Sequence, residues 1–263
     1  MNPFNLQRTQ NLPPRDHGAD EFLRQHGVDP NIQDQLLATA VAEEERRKAI
    51  PQQPAMPPED TPLNSHREIM IIPNFLPEDI CDEYIEYIKK QQEVDLSVFD
   101  AEATNKTGEI SWEVDKKTRN TQTVDIDPIK EVVIDLMRHA VRDYINPYFN
   151  VQIKDSELPQ ILVYHPGGHY RPHIDGETLF NDGGGTLSWK RNVDRDLSLV
   201  IYLNNDFEGG EIVFPKQALS IKPRKGMLIA FPSNHHFLHG VNPVTTGVRY
   251  AIVDWFSLGE NRA

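Results

Sequence analysis

The chain has 263 residues, 38% of them hydrophobic, a formal net charge of −13 and a single cysteine, Cys81. That length and apolar content allow one substantial core with an appendage, no apolar run is long enough to span a bilayer, and a lone cysteine excludes an internal disulfide framework and a cysteine-based zinc site. The acidity argues against broad phosphate-backbone binding, which depends on Lys and Arg, and the polar start lacks a secretory pattern, so the expected setting is cytoplasmic, with neither nucleic acid nor membrane as partner.

Asp29 followed by Pro30 signals a helix start, and Ile32, Leu36, Leu37, Ala40 and Val41 recur at roughly helical spacing. This predicted amphipathic helix gives way at Ile50 to the proline-rich PQQPAMPPEDTPLNS, an extended spacer. Residues 1–65 therefore read as an arm, either a simple tether or a docking helix for a partner, and residues 66–263 as the main domain. REIMIIPNF reads as a strand, and LPEDICDEYIEYIKKQQ as a helix with Ile80, Tyr84, Ile85 and Ile88 on its buried side. A second helix is expected through PIKEVVIDLMRHAVRDYINPYF, starting at Asp127 or Pro128. Between the helices, Glu93 to Asp125 is polar and reads either as a functional loop or as a run of short strands.

Beyond Tyr148 the segments QILVYH, HYRPHI, DLSLVIYLN, GEIVF, ALSIK, GMLIAF, HGVNPV and VRYAIVDWFSL are short strands divided by Gly, Pro and Asn turns. The predicted class is α+β, a sandwich or barrel of jelly-roll type with helices covering one outer face. GETLFNDGGGTLSWKRNVDR, a long connection between two of these strands, reads as a lid or substrate rim, with Trp189, Lys190 and Arg191 at its end. The opposite wall is expected from residues 95–125, which include Trp112 and Arg119.

YHPGGHYRPHIDGE carries the chemistry. If Tyr170 to Asp175 is extended, His173 and Asp175 project from one face and make two ligands of a metal site. A third must come from a distant strand. SNHHFLHGVNP offers three histidines, and His239, which enters an apolar strand, is preferred over His235, which follows Pro232, Ser233 and Asn234 in a predicted turn. Two histidines and a carboxylate on one octahedral face leave three positions open, the pattern of non-haem Fe(II) oxygenases. Arg249 stands in a strand that otherwise reads as core, and a bidentate carboxylate would satisfy its charge. His165 and His169 read as surface or supporting residues, and the paired glycines Gly167–Gly168 and Gly209–Gly210 as turns.

With YHPGGHYRPHID, the YLN of Tyr202 to Asn204, GGEIVFP and LHGVNPVTTGVRYAIVDWF in this order, the chain resembles the Fe(II)- and 2-oxoglutarate-dependent dioxygenases, within them the prolyl 4-hydroxylase-like group, from about Arg67 to Leu258. The resemblance implies a double-stranded β-helix fold, His173, Asp175 and His239 as iron ligands, and Arg249 as partner of the distal carboxylate of 2-oxoglutarate. It also implies Tyr164, Tyr202 and Trp255 around that cosubstrate. O2 is the second cosubstrate, ascorbate a further cofactor to test, and 2-oxoglutarate ends as succinate and CO2. Collagen-type prolyl hydroxylases usually carry Lys where this chain has Arg249. The expected substrate is a prolyl residue of a peptide or protein lying between the two walls, with Trp189, Arg191 and Arg119 as substrate-binding residues. The alternatives are hydroxylation of a free amino acid or small metabolite, and a non-catalytic interaction module; oxidative demethylation of nucleic acid fits the charge poorly.

Overall fold

A computed structural model of the chain describes residues 69–99, 112–181 and 187–258. The N-terminal arm, its amphipathic helix, the proline-rich spacer and Gly183 to Gly185 lie outside the described residues. In chain order the elements are β1 (Met70–Ile72), α1 (Glu78–Ile88), β2 (Glu93–Asp95), β3 (Val98–Phe99), β4 (Trp112–Glu113), β5 (Arg119–Asn120), β6 (Gln122–Val124) and α2 (Lys130–Ala140). Then come β7 (Ile153–Ser156), β8 (Gln160–Tyr164), β9 (His169–His173), β10 (Glu177–Asn181), β11 (Leu187–Arg191), β12 (Leu197–Tyr202), β13 (Glu208–Gly209), β14 (Ile212–Phe214) and β15 (Leu219–Ile221). β16 (Leu228–Pro232), β17 (His239–Val241), β18 (Val244–Thr246) and β19 (Arg249–Leu258) complete the set.

The major sheet has the order β1-β16-β12-β19-β8-β6-β2, with β7 also paired to β19, and the minor sheet the order β15-β14-β17-β9-β5. Period-2 alternation divides the central strands between two cores. Leu197, Leu199 and Ile201 of β12, Ile161 and Val163 of β8 and Ile252 of β19 pack with Ile80, Tyr84, Ile85 and Ile88 of α1 and with Val133 and Met137 of α2. The residues between them, Val200, Tyr202, Leu162, Tyr164, Ala251, Val253 and Trp255, join Ile212, Phe214 and Val241 of the minor sheet. Phe214 meets Phe231 edge to face across the gap, ring centres 4.9 Å apart. One face of the major sheet thus carries the helices, and the other faces a cavity.

The first predicted helix forms with shorter bounds, and the second covers its predicted span in pieces of different pitch. α1 stops at Ile88. The second begins as a 3-10 turn at Asp127–Ile129, runs as α2, and widens into a π-helical stretch at Val141–Ile145 before a last turn at Asn146–Phe149. Pro147 has no amide for the carbonyl of Asp143, which suits a widened turn. Glu93 to Asp125 resolves into short strands at both described ends. The connection after the HxD segment forms an antiparallel hairpin, β10 with β11, in the register Glu177 to Arg191 and Leu179 to Trp189.

Candidate metal centre

β9 and β17 run antiparallel with His173 directly opposite His239, so register alone brings two histidines 66 positions apart in the chain to one spot. β9 ends at His173, and Asp175 lies in the bend that follows instead of on the strand as the alternation predicted. That bend is held close: the Gly176 amide donates to the Ser233 carbonyl at 2.8 Å, and a Cβ at Gly176 would stand 2.6 Å from the Arg195 carbonyl oxygen. Only glycine fits there. The result matches the expected geometry by a different route, with one ligand atom each from His173, Asp175 and His239 lying within 4.8 Å of one another. Each histidine Nε2 is 3.4 Å from a different Asp175 oxygen.

Both rings are aimed. Nδ1 of His173 donates to the Arg171 carbonyl at 2.9 Å and Nδ1 of His239 to the Phe237 carbonyl at 3.0 Å, since a carbonyl can only accept. This leaves Nε2 of each ring as the basic nitrogen facing Asp175, the arrangement metal-binding histidines adopt. Tyr170 stacks on His173 with centres 3.6 Å apart, and Phe231 packs against His239 at 4.6 Å. Burial pushes His239 down to about 4, so it is neutral at pH 7. Burial works to raise Asp175, but the adjacent histidines, His239 foremost, and the Ser198 hydroxyl outweigh it and hold the carboxyl below the usual range. Ser198 Oγ donates to Asp175 Oδ2 at 2.7 Å and itself receives from Ser233 Oγ at 2.7 Å. A neutral imidazole at His239 and an oriented carboxylate at Asp175 are the states a divalent metal requires of such ligands.

These groups line one cavity of about 480 Å³, which also takes in Arg119, Tyr164, Tyr170, Arg195, Arg249 and Trp255. Arg249 is 2% exposed, with its guanidinium carbon 4.6 Å from the Tyr164 ring centre and 4.9 Å from that of Tyr202. Its Nε and Nη1, and the Tyr202 hydroxyl, are buried without a hydrogen-bond partner. Burial raises Tyr202 to about 12, so it remains a phenol and a donor. A buried cation with idle donors beside an idle O–H is costly unless a hydrogen-bonding anion completes it. The donor set therefore fits a carboxylate. Gly210, at φ +67°, makes room for the guanidinium stem, since a Cβ there would lie 3.1 Å from Arg249 Cδ.

The other expected residues divide. Tyr164, Trp255 and Arg119 line the cavity, and Tyr202 reaches it through Arg249. Trp189 and Arg191 are not among the lining residues: Trp189 stacks parallel on His235, ring centres 5.3 Å apart, and Arg191 pairs with Asp194 and Asp196. His235, the rival third ligand, is bound to Glu177 instead, at 2.6 Å. His165 pairs with Glu93 at the surface, and His169 bonds the carbonyls of Gly167 and Lys117. Sequence reasoning missed Ser198, Ser233 and Arg195. Ser198 had a signal, a hydroxyl at the cavity-facing phase of an apolar strand. Arg195, stacked on Trp255 at 3.9 Å and paired with Glu157, had none, because its partners lie far off in the chain.

Residues 159–257 match the model of the 2OG-Fe(II) oxygenase superfamily. The chain is 45% identical over 69 residues to prolyl 3-hydroxylase 2 of Rattus norvegicus, 24% of this chain and 10% of that protein, so it spans about a tenth of that relative. It is 28% identical over 213 residues to probable prolyl 4-hydroxylase 3 of Arabidopsis thaliana, covering 71% and 68%. Among solved structures, a prolyl hydroxylase of Trichoplax adhaerens, in complex with a peptide fragment of the hypoxia inducible factor oxygen degradation domain, shares the fold at a TM-score of 0.54 and 18% identity, covering 74% and 86%. The segment that supplies every residue of the His-Asp-His cluster and Arg249 is the segment that the model of the 2OG-Fe(II) oxygenase superfamily matches.

Proposed function

We propose that the chain is an Fe(II)- and 2-oxoglutarate-dependent hydroxylase acting on a prolyl residue in a peptide or protein. The observation that carries this reading is the joint occurrence, in one cavity, of a His-Asp-His cluster and a buried guanidinium with idle donors. His173, Asp175 and His239 would hold the metal, and Arg249 with the Tyr202 hydroxyl would hold the distal carboxylate of 2-oxoglutarate. Tyr164 flanks that guanidinium, and Trp255 walls the cavity beside it. Bound Fe(II), with 2-oxoglutarate and O2, supplies the oxidation of C–H to C–OH while 2-oxoglutarate is converted to succinate and CO2. The chain's own residues orient and exclude water. Ser198 pins one oxygen of Asp175, and Phe231 and Tyr170 pack against the two histidines.

Two walls at the cavity support a peptide over a free amino acid: Leu96, Val98 and Arg119 on one side, Asn192 and Val193 at the base of the hairpin on the other. Arg119 lies over the Tyr170 ring at 4.7 Å, and its buried Nε has no partner, which leaves a donor for a peptide carbonyl. We read the two facing sheets as a double-stranded β-helix on the same grounds. The test is an assay of proline-containing peptides beside free proline with Fe(II), 2-oxoglutarate, O2 and ascorbate, scored by succinate and by a +16 mass shift located on proline. Digestion and analysis of the hydroxyproline then gives the ring position. Turnover confined to free amino acids would overturn the peptide assignment, and omission of ascorbate tests its part.

A further inference from the structure

We propose that Glu177 and His235 are positioning residues that couple the β10–β11 hairpin to the metal centre, so that the placement of the hairpin and the metal affinity of the cluster change together; this rests on the metal-binding reading above. A single oxygen of Glu177, Oε2, accepts both the backbone N–H of His235 at 2.8 Å and its ring Nδ1–H at 2.6 Å. Glu177 is two residues beyond Asp175 and opens β10; His235 is four residues before His239. The pair therefore closes a short ring: Asp175 to Glu177 along the chain, across to His235, along the chain to His239, and back across the 3.4 Å gap to Asp175. Gly176 to Ser233, at 2.8 Å, is a second rung of the same ladder.

The short turn His235–Phe237 is held from its other side as well. Asn234 Oδ1 accepts the His236 amide at 3.0 Å, Lys216 donates to the His235 carbonyl at 2.6 Å, and Gln217 donates to that of His236 at 2.9 Å. The turn is thus fixed to the body of the domain, and the hairpin is what is fastened to it. Trp189, in mid-hairpin on β11, completes the fastening by lying parallel to the His235 ring at 3°. An exposed ion pair on its own would contribute little. Here one carboxylate oxygen satisfies a backbone donor and a ring donor at once, both side chains are about three-quarters buried, and each partner is a near neighbour of a ligand. Groups hydrogen-bonded directly to ligating side chains change metal affinity by about 10- to 100-fold when removed, and a contact one step further out acts at the lower end of that range.

The experiment uses the full-length chain and Zn(II) as a redox-silent probe, with affinity measured by competition against a chromophoric chelator. Amide hydrogen exchange in the two hairpin strands, Glu177–Asn181 and Leu187–Arg191, is measured with and without metal. Glu177→Gln removes the charge, and His235→Phe keeps an aromatic ring against Trp189 while removing the Nδ1 donor. Each is expected to weaken Zn(II) binding about tenfold, and the double variant by no more than about threefold beyond the weaker single, because both act through one contact. Zn(II) should slow exchange over the hairpin in wild type and leave it unchanged in either variant, an effect that a merely loosened hairpin would not reproduce. Affinity within twofold of wild type in both folded variants, additive losses, or a metal response of the hairpin that survives would each overturn the coupling. Wild type that binds Zn(II) no better than His173→Ala would instead overturn the metal reading itself.

Discussion

Replacing Arg249 by Met tests the anion station directly, because it keeps most of the side-chain volume and removes the charge. In the ligand-free protein two terms oppose each other. The variant is relieved of a guanidinium that is 2% exposed with two nitrogens unbonded, and it loses the stacking on Tyr164 and Tyr202, worth about 1 kcal/mol each. The melting temperature without ligand should therefore move by only a few degrees. Binding of 2-oxoglutarate should fall steeply, since charge-assisted bonds contribute about 1.5–3 kcal/mol each and truncating one member of a buried charged pair costs about 2–5 kcal/mol. Two such bonds place the loss at about 3–5 kcal/mol, roughly 100- to several-thousand-fold in Kd. Anaerobic calorimetry with Mn(II) in the metal site measures this, and thermal shift checks it. At 100 times Kd the ligand stabilises wild type by about 2.7 kcal/mol, about 5–11 °C for a domain of this size, while at the same concentration the variant should shift by no more than about 2 °C. If Arg249→Met binds 2-oxoglutarate within threefold of wild type, or loses Mn(II) to the same extent, the assignment of Arg249 is wrong.

Three further outcomes are expected. His239→Ala should abolish Zn(II) binding in calorimetry whereas His235→Ala weakens it only about tenfold; the reverse order would exchange the third ligand. Asp254 is fully buried with Oδ2 unpartnered, and burial pushes it up to about 8. The folded state then holds its proton from about pH 4 to 8 while the unfolded state releases it, so stability falls as pH rises through that window. Asp254→Asn should be more stable than wild type at pH 8 by as much as about 5 kcal/mol and nearly equal to it at pH 4, read by urea denaturation at both values; equal stabilities at pH 8 would refute it. Gly176→Ala places a Cβ 2.6 Å from the Arg195 carbonyl and 3.0 Å from that of Ser233. It should displace Asp175 and reduce Zn(II) affinity by at least tenfold, while a variant of unchanged affinity would show that the bend is not tight.

Two of the proposed site residues were legible because each sits where its residue type is out of place. His239 enters a strand whose other members are apolar, and Arg249 breaks the hydrophobic phase of β19. Alternation placed Val200 and Tyr202 on one face correctly, and that face proves to be the cavity wall. What alternation missed was set by contacts distant in the chain. Asp175 leaves the strand because Ser233 and Ser198, from two other strand ends, capture the bend. The hairpin from Glu177 to Arg191 was invisible as a pair of strands because its register is set by pairing within itself, outside both main sheets, with little apolar periodicity for burial to enforce. Arg191 looked like a free cation for a substrate, yet Asp194 and Asp196, a few residues on, take it up.

The two sheets divide the work. His173 and His239 belong to the minor sheet, on β9 and β17, whereas Arg249, Tyr164 and Tyr202 belong to the major sheet, on β19, β8 and β12. Asp175 stands between them, following β9 but hydrogen-bonded to Ser198 of β12. A dicarboxylate that meets the metal at one end and Arg249 at the other would bridge the sheets as well as fill the cavity. Its binding energy would then bear on the spacing of the sheets, and hence on the packing of Phe214 against Phe231 that spans the same gap. The helices α1 and α2 brace the opposite face of the major sheet, so any yielding on cosubstrate binding falls to the minor sheet and the turn before His239. That turn is where the hairpin is fastened, through His235.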